Sequence, residues 1–199
     1  MIPRHLAIAI VVMLLIALGM SFFLWRMRGR SSTGEFATSN AVPVAPPVTG
    51  PTEQVTLYVA DDNSGTLRAT SALIPLPSAR QQRGEELLRA LLSAYAAKSS
   101  HHVLGSGSEV RAFYLVDPGL AVIDLNRAFA DGHRSGVLVE ELTVASLART
   151  LSANLPGLTQ VQFLVDGKQR DTLAGHADLS RPYDISAMNQ LAEQLQSGQ

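Results

Sequence analysis

The hydrophobic pattern opens with an unbroken apolar run. From Leu6 to Trp25 the chain reads LAIAIVVMLLIALGMSFFLW, twenty residues without a charge. At about 1.5 Å of rise per residue, a helix of that length crosses a hydrocarbon core of about 30 Å. Trp25 stands at its end, where an amphipathic ring suits the headgroup region. The apolar part of a cleaved signal peptide is shorter, about 7–15 residues, and ends near small residues. Here Trp25, Arg26, Met27 and Arg28 close the run. The pattern therefore predicts a retained single-pass transmembrane helix over 6–25, with residues 1–5 as its flank.

Periodicity then vanishes over residues 26–54. Residues 31–54 are dominated by Ser, Thr, Gly and four prolines, a composition that favours extended backbone. At roughly 3 Å per residue such a linker spans tens of ångströms. It reads equally as a passive spacer and as a means of reaching a target away from the bilayer.

Patterning resumes at Val55. VTLYVA (Val55–Ala60) is β-branched and aromatic, as a strand requires. Asp61 to Gly65 is a turn cluster, and Leu67 to Ile74 is a second extended segment ended by Pro75 and Pro77. Leu87, Leu88, Leu91, Leu92 and Tyr95 recur at helical spacing. Ser78 with Gln81 suggests a capping box, Gly84 weakens the first turn, and Glu85 and Glu86 complement the helix dipole. Residues 98–108 form a loop. Val110–Val116 and Leu120–Leu125 are strands joined by Asp117, Pro118 and Gly119, with Pro and Gly in the middle of a type II turn.

Residues 126–136 look irregular. A second helix is predicted over 137–154, with Val137, Val144, Leu147, Ala148, Leu151 and Leu155 along one side and Pro156-Gly157 as its stop. Leu158–Val165 is a strand ending at Asp166-Gly167. Ile185, Met188, Leu191 and Leu195 make a last amphipathic stripe. This order predicts an α+β domain over 55–180, one mixed sheet covered by two helices, followed by a tail at 181–199 with a short amphipathic helix.

Composition narrows the function classes. Cysteine is absent, which excludes a lipid-modified cysteine anchor, disulfides and thiolate metal sites. Residues 53–199 hold 12 Lys/Arg and 16 Asp/Glu, and without a basic patch nucleic-acid binding is disfavoured.

Three stretches together carry a resemblance. VTLYVADD (Val55–Asp62), LAVIDLNRAF (Leu120–Phe129) and SLARTLSANLPGLTQVQFLVDG (Ser146–Gly167) resemble, in order and spacing, the opening strand, central hairpin strand, and helix with final strand of the GerMN domain family, named for a spore-germination protein. The likeness covers about residues 55–180. It departs from the family over Ser93–Ser108, which lacks the Gly-Pro pair and later proline often found there. The resemblance implies a fold similar to the ring-building modules of envelope assemblies. It also implies an extracytoplasmic domain behind a membrane or lipid anchor, protein–protein interaction at the cell envelope, and no known catalytic residues. A sporulation role does not follow from the domain alone.

Candidate chemistry is sparse. Asp61, Asn63 and Gly65 match the start of a calcium loop, but position twelve is Ala72 where Glu is needed, so a plain turn is favoured. His101, His102, His133 and His176 lack a chelating helical spacing and read as solvated. Asp117 and Asp166 lie in turns, where they can bond nearby backbone N–H groups, and Asp124 ends a strand and can cap the turn after it. Gly105 to Ser108 is neither a nucleophile elbow nor a phosphate loop. No catalytic, cofactor-binding or metal residue is assigned, and no cofactor is expected.

Two readings remain. The first is a non-enzymatic interaction module of the bacterial envelope, with an envelope partner or self-association, working through a sheet edge or a helix face. The second is a ligand-binding or hydrolytic domain, which requires a pocket with converging polar groups, for which Asp124, His133 and His176 are the residues to test. On orientation, Arg26, Arg28 and Arg30 after the apolar run favour a cytoplasmic domain. The family resemblance and the tether favour an exported one, which is the expectation here.

Overall fold

The computed structural model describes residues 51–116 and 118–190. The predicted membrane helix, most of the tether, Asp117 and the end of the tail lie outside them. Among the described residues no helix is long and apolar enough to cross a membrane.

β1 (Thr52–Asp61) and β2 (Thr66–Pro75) form an antiparallel ribbon in unbroken register, from Thr52 opposite Pro75 to Asp61 opposite Thr66. β1 starts earlier than its composition predicts because its ladder to β2 runs as far as Pro75. The Asp61–Gly65 turn forms as expected: Asp61 Oδ1 accepts the Asn63 N–H at 3.0 Å, and Gly65 takes φ +67°.

The expected single sheet is in fact two. β3 (Val110–Val116), β4 (Leu120–Leu125), β5 (Gln160–Val165) and β6 (Tyr183–Asp184) make a separate mixed sheet in that order, with β4 and β5 parallel. Phe113, Ile123 and Phe163 stand in register across it and are fully buried. Helix α1 (Arg80–Ala96) packs against β3 of this sheet. A Cβ on Gly84 would sit 2.1 Å from the Phe113 ring, so the residue that weakens the helix is what lets it approach the sheet.

α3 (Val137–Asn154), carried in the crossover between the parallel strands, explains why the ribbon stays separate. Its polar residues Ser146, Thr150 and Asn154 lie along the β1 edge that faces away from β2. Asn154 exchanges hydrogen bonds with Thr56, its Oδ1 accepting from N–H at 3.2 Å and its Nδ2 donating to C=O at 2.8 Å. Thr150 Oγ1 accepts the Tyr58 N–H at 2.9 Å, and Ser146 Oγ donates to the Tyr58 carbonyl at 2.6 Å. Tyr95 from α1 accepts the Ala60 N–H at 2.9 Å and bonds Ser146. Four residues of helix rise about 6 Å, close to the two-residue repeat of a strand. A helix with polar side chains four apart thus replaces a neighbouring strand.

Several local expectations change. The capping box at Ser78 does not form, because the chain stays extended through Ala79 and α1 begins at Arg80 with no side-chain cap. Buried Leu76, whose N–H bonds the Pro51 carbonyl, holds that extended entry. The later start moves Glu85 and Glu86 out of the first turn. The Gly119 N–H donates to the Val116 carbonyl at 3.1 Å, so Gly119 is fourth in its turn rather than third. The stretch expected to be irregular contains α2 (Arg127–Asp131), capped by Asn126 Oδ1 on the Phe129 N–H. Val137 is 55% exposed rather than on the buried side. Residues 185–190 are helical, with Ile185 buried and Met188 packed on the core, while Leu191 and Leu195 lie outside the described residues.

Candidate functional site

All four of the histidines read as solvated are engaged in the folded domain, two of them buried. His102 is fully buried and His133 nearly so. His102 arrives on the loop that follows α1, in the segment that departs from the family pattern. Its Nδ1 meets Asp62 Oδ1 at 2.6 Å and its Nε2 meets Thr143 Oγ1 at 2.7 Å. Asp62 is held from the other side by Arg134 at 2.9 Å. His133, just after α2, sets its Nε2 on the same Thr143 oxygen at 2.7 Å and its Nδ1 against the Arg134 carbonyl at 2.8 Å.

The hydrogens can be counted. Both Nδ1 atoms face oxygen acceptors and so carry hydrogen. Thr143 has one hydroxyl hydrogen for two ring nitrogens and the Val139 carbonyl at 3.0 Å. Burial lowers the pKa of His133, against the raising effect of the Arg134 carbonyl.

Carboxylate on Nδ1 and hydroxyl on Nε2 is the atom order of a hydrolytic triad. Thr143, however, is fully buried and its oxygen is surrounded by protein partners. No substrate carbonyl can reach it, so the geometry joins a loop, the β1–β2 turn and α3 instead.

A second cluster fails the same test for the opposite reason. Glu140, fully buried in the first turn of α3, accepts from the backbone N–H groups of Gly136, Ala174, His176 and Ala177 and from His176 Nδ1, all at 2.8–3.1 Å. Burial raises its pKa, but the His176 contact and these N–H groups outweigh it and bring the carboxyl down to about 2. Ser135 Oγ lies 3.4 Å from His176. This site is accessible, yet Ser135 and Glu140 both address the same nitrogen, so the ring cannot pass a proton from one to the other. Glu140 fastens the loop after β5 onto the helix.

The other candidates are scattered. Asp61 Oδ2 lies 2.5 Å from Arg68 and 3.2 Å from exposed His101, and the Arg68 cation would repel a metal ion. The His101 hydrogen bond, against burial and together with the Asn63 and Ser64 backbone bonds, keeps the Asp61 carboxyl below its usual range. Asp124 caps the Gly167 N–H at 2.7 Å, which is the turn after the neighbouring strand rather than the turn after its own. Asp166 does not bond its turn as expected: it takes φ +52° and pairs with Arg111 and Arg127. Asp117 lies outside the described residues. Asp124 shares no hydrogen bond with His133 or His176, so the three residues set out for testing do not converge.

A cleft of about 440 Å³ opens between the end of α1 and the loop after it, lined by Leu92, Tyr95, Lys98, Val103 and Ser106 among others. Two of its hydroxyls, on Ser100 and Ser108, are bonded to the His102 and Gly105 carbonyls. Neither cluster places a titratable histidine or carboxylate in its lining. Sequence reasoning missed Glu140 and Thr143 because both look like ordinary polar positions on an exposed helix face.

The Germane family model, described as sporulation and spore germination, matches residues 56–171. Comparison with curated proteins finds no match. Among solved structures, the tandem GerMN domains of the sporulation protein GerM from Bacillus subtilis share 18% identity at a TM-score of 0.51. That match covers 68% of this chain and 47% of the other, so the chain spans about half the length of the tandem protein. A candidate lipoprotein from Clostridium perfringens shares 21% identity at a TM-score of 0.48, covering 72% of this chain and 93% of that one. The first GerMN domain of the same Bacillus protein alone shares 19% identity at a TM-score of 0.43, covering 65% and 98%.

Proposed function

This chain belongs to the Germane family, and from that membership we propose that its domain is a non-enzymatic protein–protein interaction module, tethered to the cytoplasmic membrane and presented outside it. The observation that carries the reading is the asymmetry of the β1–β2 ribbon. One edge is closed by α1 and α3 side chains at Thr56, Tyr58 and Ala60. The other edge, along β2, has exposed residues from Arg68 to Ser71 and again at Leu73, which is 69% exposed. An open, regular edge is a template for a further strand. The histidine and carboxylate clusters, by contrast, are spent on holding loops in place.

The membrane part rests on Leu6–Trp25 and the tether, and the outward placement on the family. Two measurements test it. Ser64, exposed in the β1–β2 turn, takes a cysteine in a chain that has none. A maleimide that cannot cross the inner membrane should label Ser64→Cys in intact cells with a permeabilised outer membrane. Labelling only after lysis places the domain inside and removes the envelope reading. A photo-crosslinker at Leu73 in native membranes should then capture a defined protein. Monomer alone under all conditions removes the interaction reading.

A further inference from the structure

We infer that the β2 edge is occupied by a second copy of this chain, the two β2 strands pairing antiparallel about a two-fold axis at Ser71. The inference rests on the interaction reading above and names its partner.

The direction of the backbone groups follows from the register. Within an antiparallel ladder, residues alternate between facing one neighbour and the other. The Thr56, Tyr58 and Ala60 N–H groups point to the helices, so the odd residues of β1 face β2. Their partners in β2 are even-numbered, as with Leu57 opposite Thr70 and Val55 opposite Ala72. Ala69, Ser71 and Leu73 therefore turn their N–H and C=O groups outward, with no backbone partner among the described residues. Pro75, which has no N–H, ends the row.

Between Ala69 and Ile74 this edge lacks the devices that keep edges apart. It has no bulge, whereas β3, the edge of the larger sheet, has a register break between Val110 and Ala112. Its one charge, Arg68, is already paired with Asp61. The edge is also complementary to itself. Centred on Ser71, a two-fold pairing sets Ala69 against Leu73 of the second copy, small against large, and Arg68 against Ile74. No like charges oppose each other, although the domains carry the same net charge. Ser71 pairs with itself, and about six backbone hydrogen bonds form. A closed two-fold contact of this kind consumes both edges and stops at a dimer. Confinement of both copies to one membrane raises their effective concentration, which favours a contact of this modest size.

The register makes a sharp test. Facing residues in hydrogen-bonded antiparallel pairs lie about 5.5 Å apart at Cα, within disulfide range. Full-length chain carrying Ser71→Cys, oxidised in its own membrane, should form a covalent dimer. Arg68→Cys, which faces Ile74 in this register, should give roughly a tenth as much or less. Adding Leu73→Lys to Ser71→Cys should cut the dimer yield about tenfold. Leu73 is solvent-exposed, so that change leaves the domain folded, which its thermal melt checks.

Three results overturn the inference in different ways. If Ser71→Cys stays monomeric while a photo-crosslinker at Leu73 captures a different protein, the second copy is wrong and the interaction module stands. If Leu73 captures nothing, both fall. Equal cross-linking of Arg68→Cys and Ser71→Cys overturns the register and with it the two-fold pairing.

Discussion

Thr143 shows how much one hydroxyl organises. It is the meeting point of His102 and His133, which join the loop after α1 to the segment after α2. Thr143→Val keeps the shape and leaves two buried ring nitrogens without a partner. We expect a loss of about 2–4 kcal/mol in urea unfolding. Gly84→Ala gains helix propensity but drives a methyl into the Phe113 ring, and overpacking should dominate at about 1–3 kcal/mol net loss. The ionisable residues set the pH dependence. Glu140 has a folded pKa of about 2 against an ordinary 4.5. Its contribution is therefore present above about 4.5 and is lost as pH falls from there towards 2. His133 is also depressed, from 6.5, so its contribution is present above 6.5 and is lost as pH falls through its folded pKa. Both signs make the domain acid-labile: urea midpoints should fall steadily from neutral to pH 3. Glu140→Gln should cost about 2–3 kcal/mol at neutral pH and flatten the lower part of that curve. A midpoint that rises on acidification contradicts these assignments.

At the scale of elements, apolar periodicity located most of the fold. The stripe Leu87, Leu88, Leu91 and Tyr95 is buried as read, and the paired strands around Gly119 form the hairpin. The sequence pattern failed where polar residues do structural work. Ser146, Thr150 and Asn154 look like the solvent side of α3, yet they close the edge of β1. That is why one sheet was expected and two were found. Spacing of four between small hydrogen-bonding residues was the available signal, but it acquires meaning only opposite a strand edge that sequence does not reveal. Asn126 was a legible N-cap for α2 that hydrophobic patterning passed over. His102 was misjudged for the same reason: its partners Asp62 and Thr143 lie 40 and 41 residues away in sequence. Thr150→Val should leave the Tyr58 N–H without its acceptor and cost about 1–3 kcal/mol, measured by thermal unfolding. It should also speed amide exchange at Tyr58 ahead of the rest of β1.

At the scale of the whole molecule, an apolar run and a Pro-rich segment precede in sequence a domain whose described residues leave the β2 edge facing out. The family and the α+β class were legible from sequence order and spacing. Which edge stays open was not, because it depends on the helix that closes the other one. Hydrogen–deuterium exchange on the full-length protein in its native membrane tests this account most directly. Ala69, Ser71 and Leu73 have outward amides with no backbone partner among the described residues, which an added strand would protect. The account predicts slow exchange at these three in the membrane and fast exchange once the protein is extracted and diluted. Fast exchange at all three in the native membrane, with the neighbouring even-numbered amides protected, would mean that nothing docks on this edge.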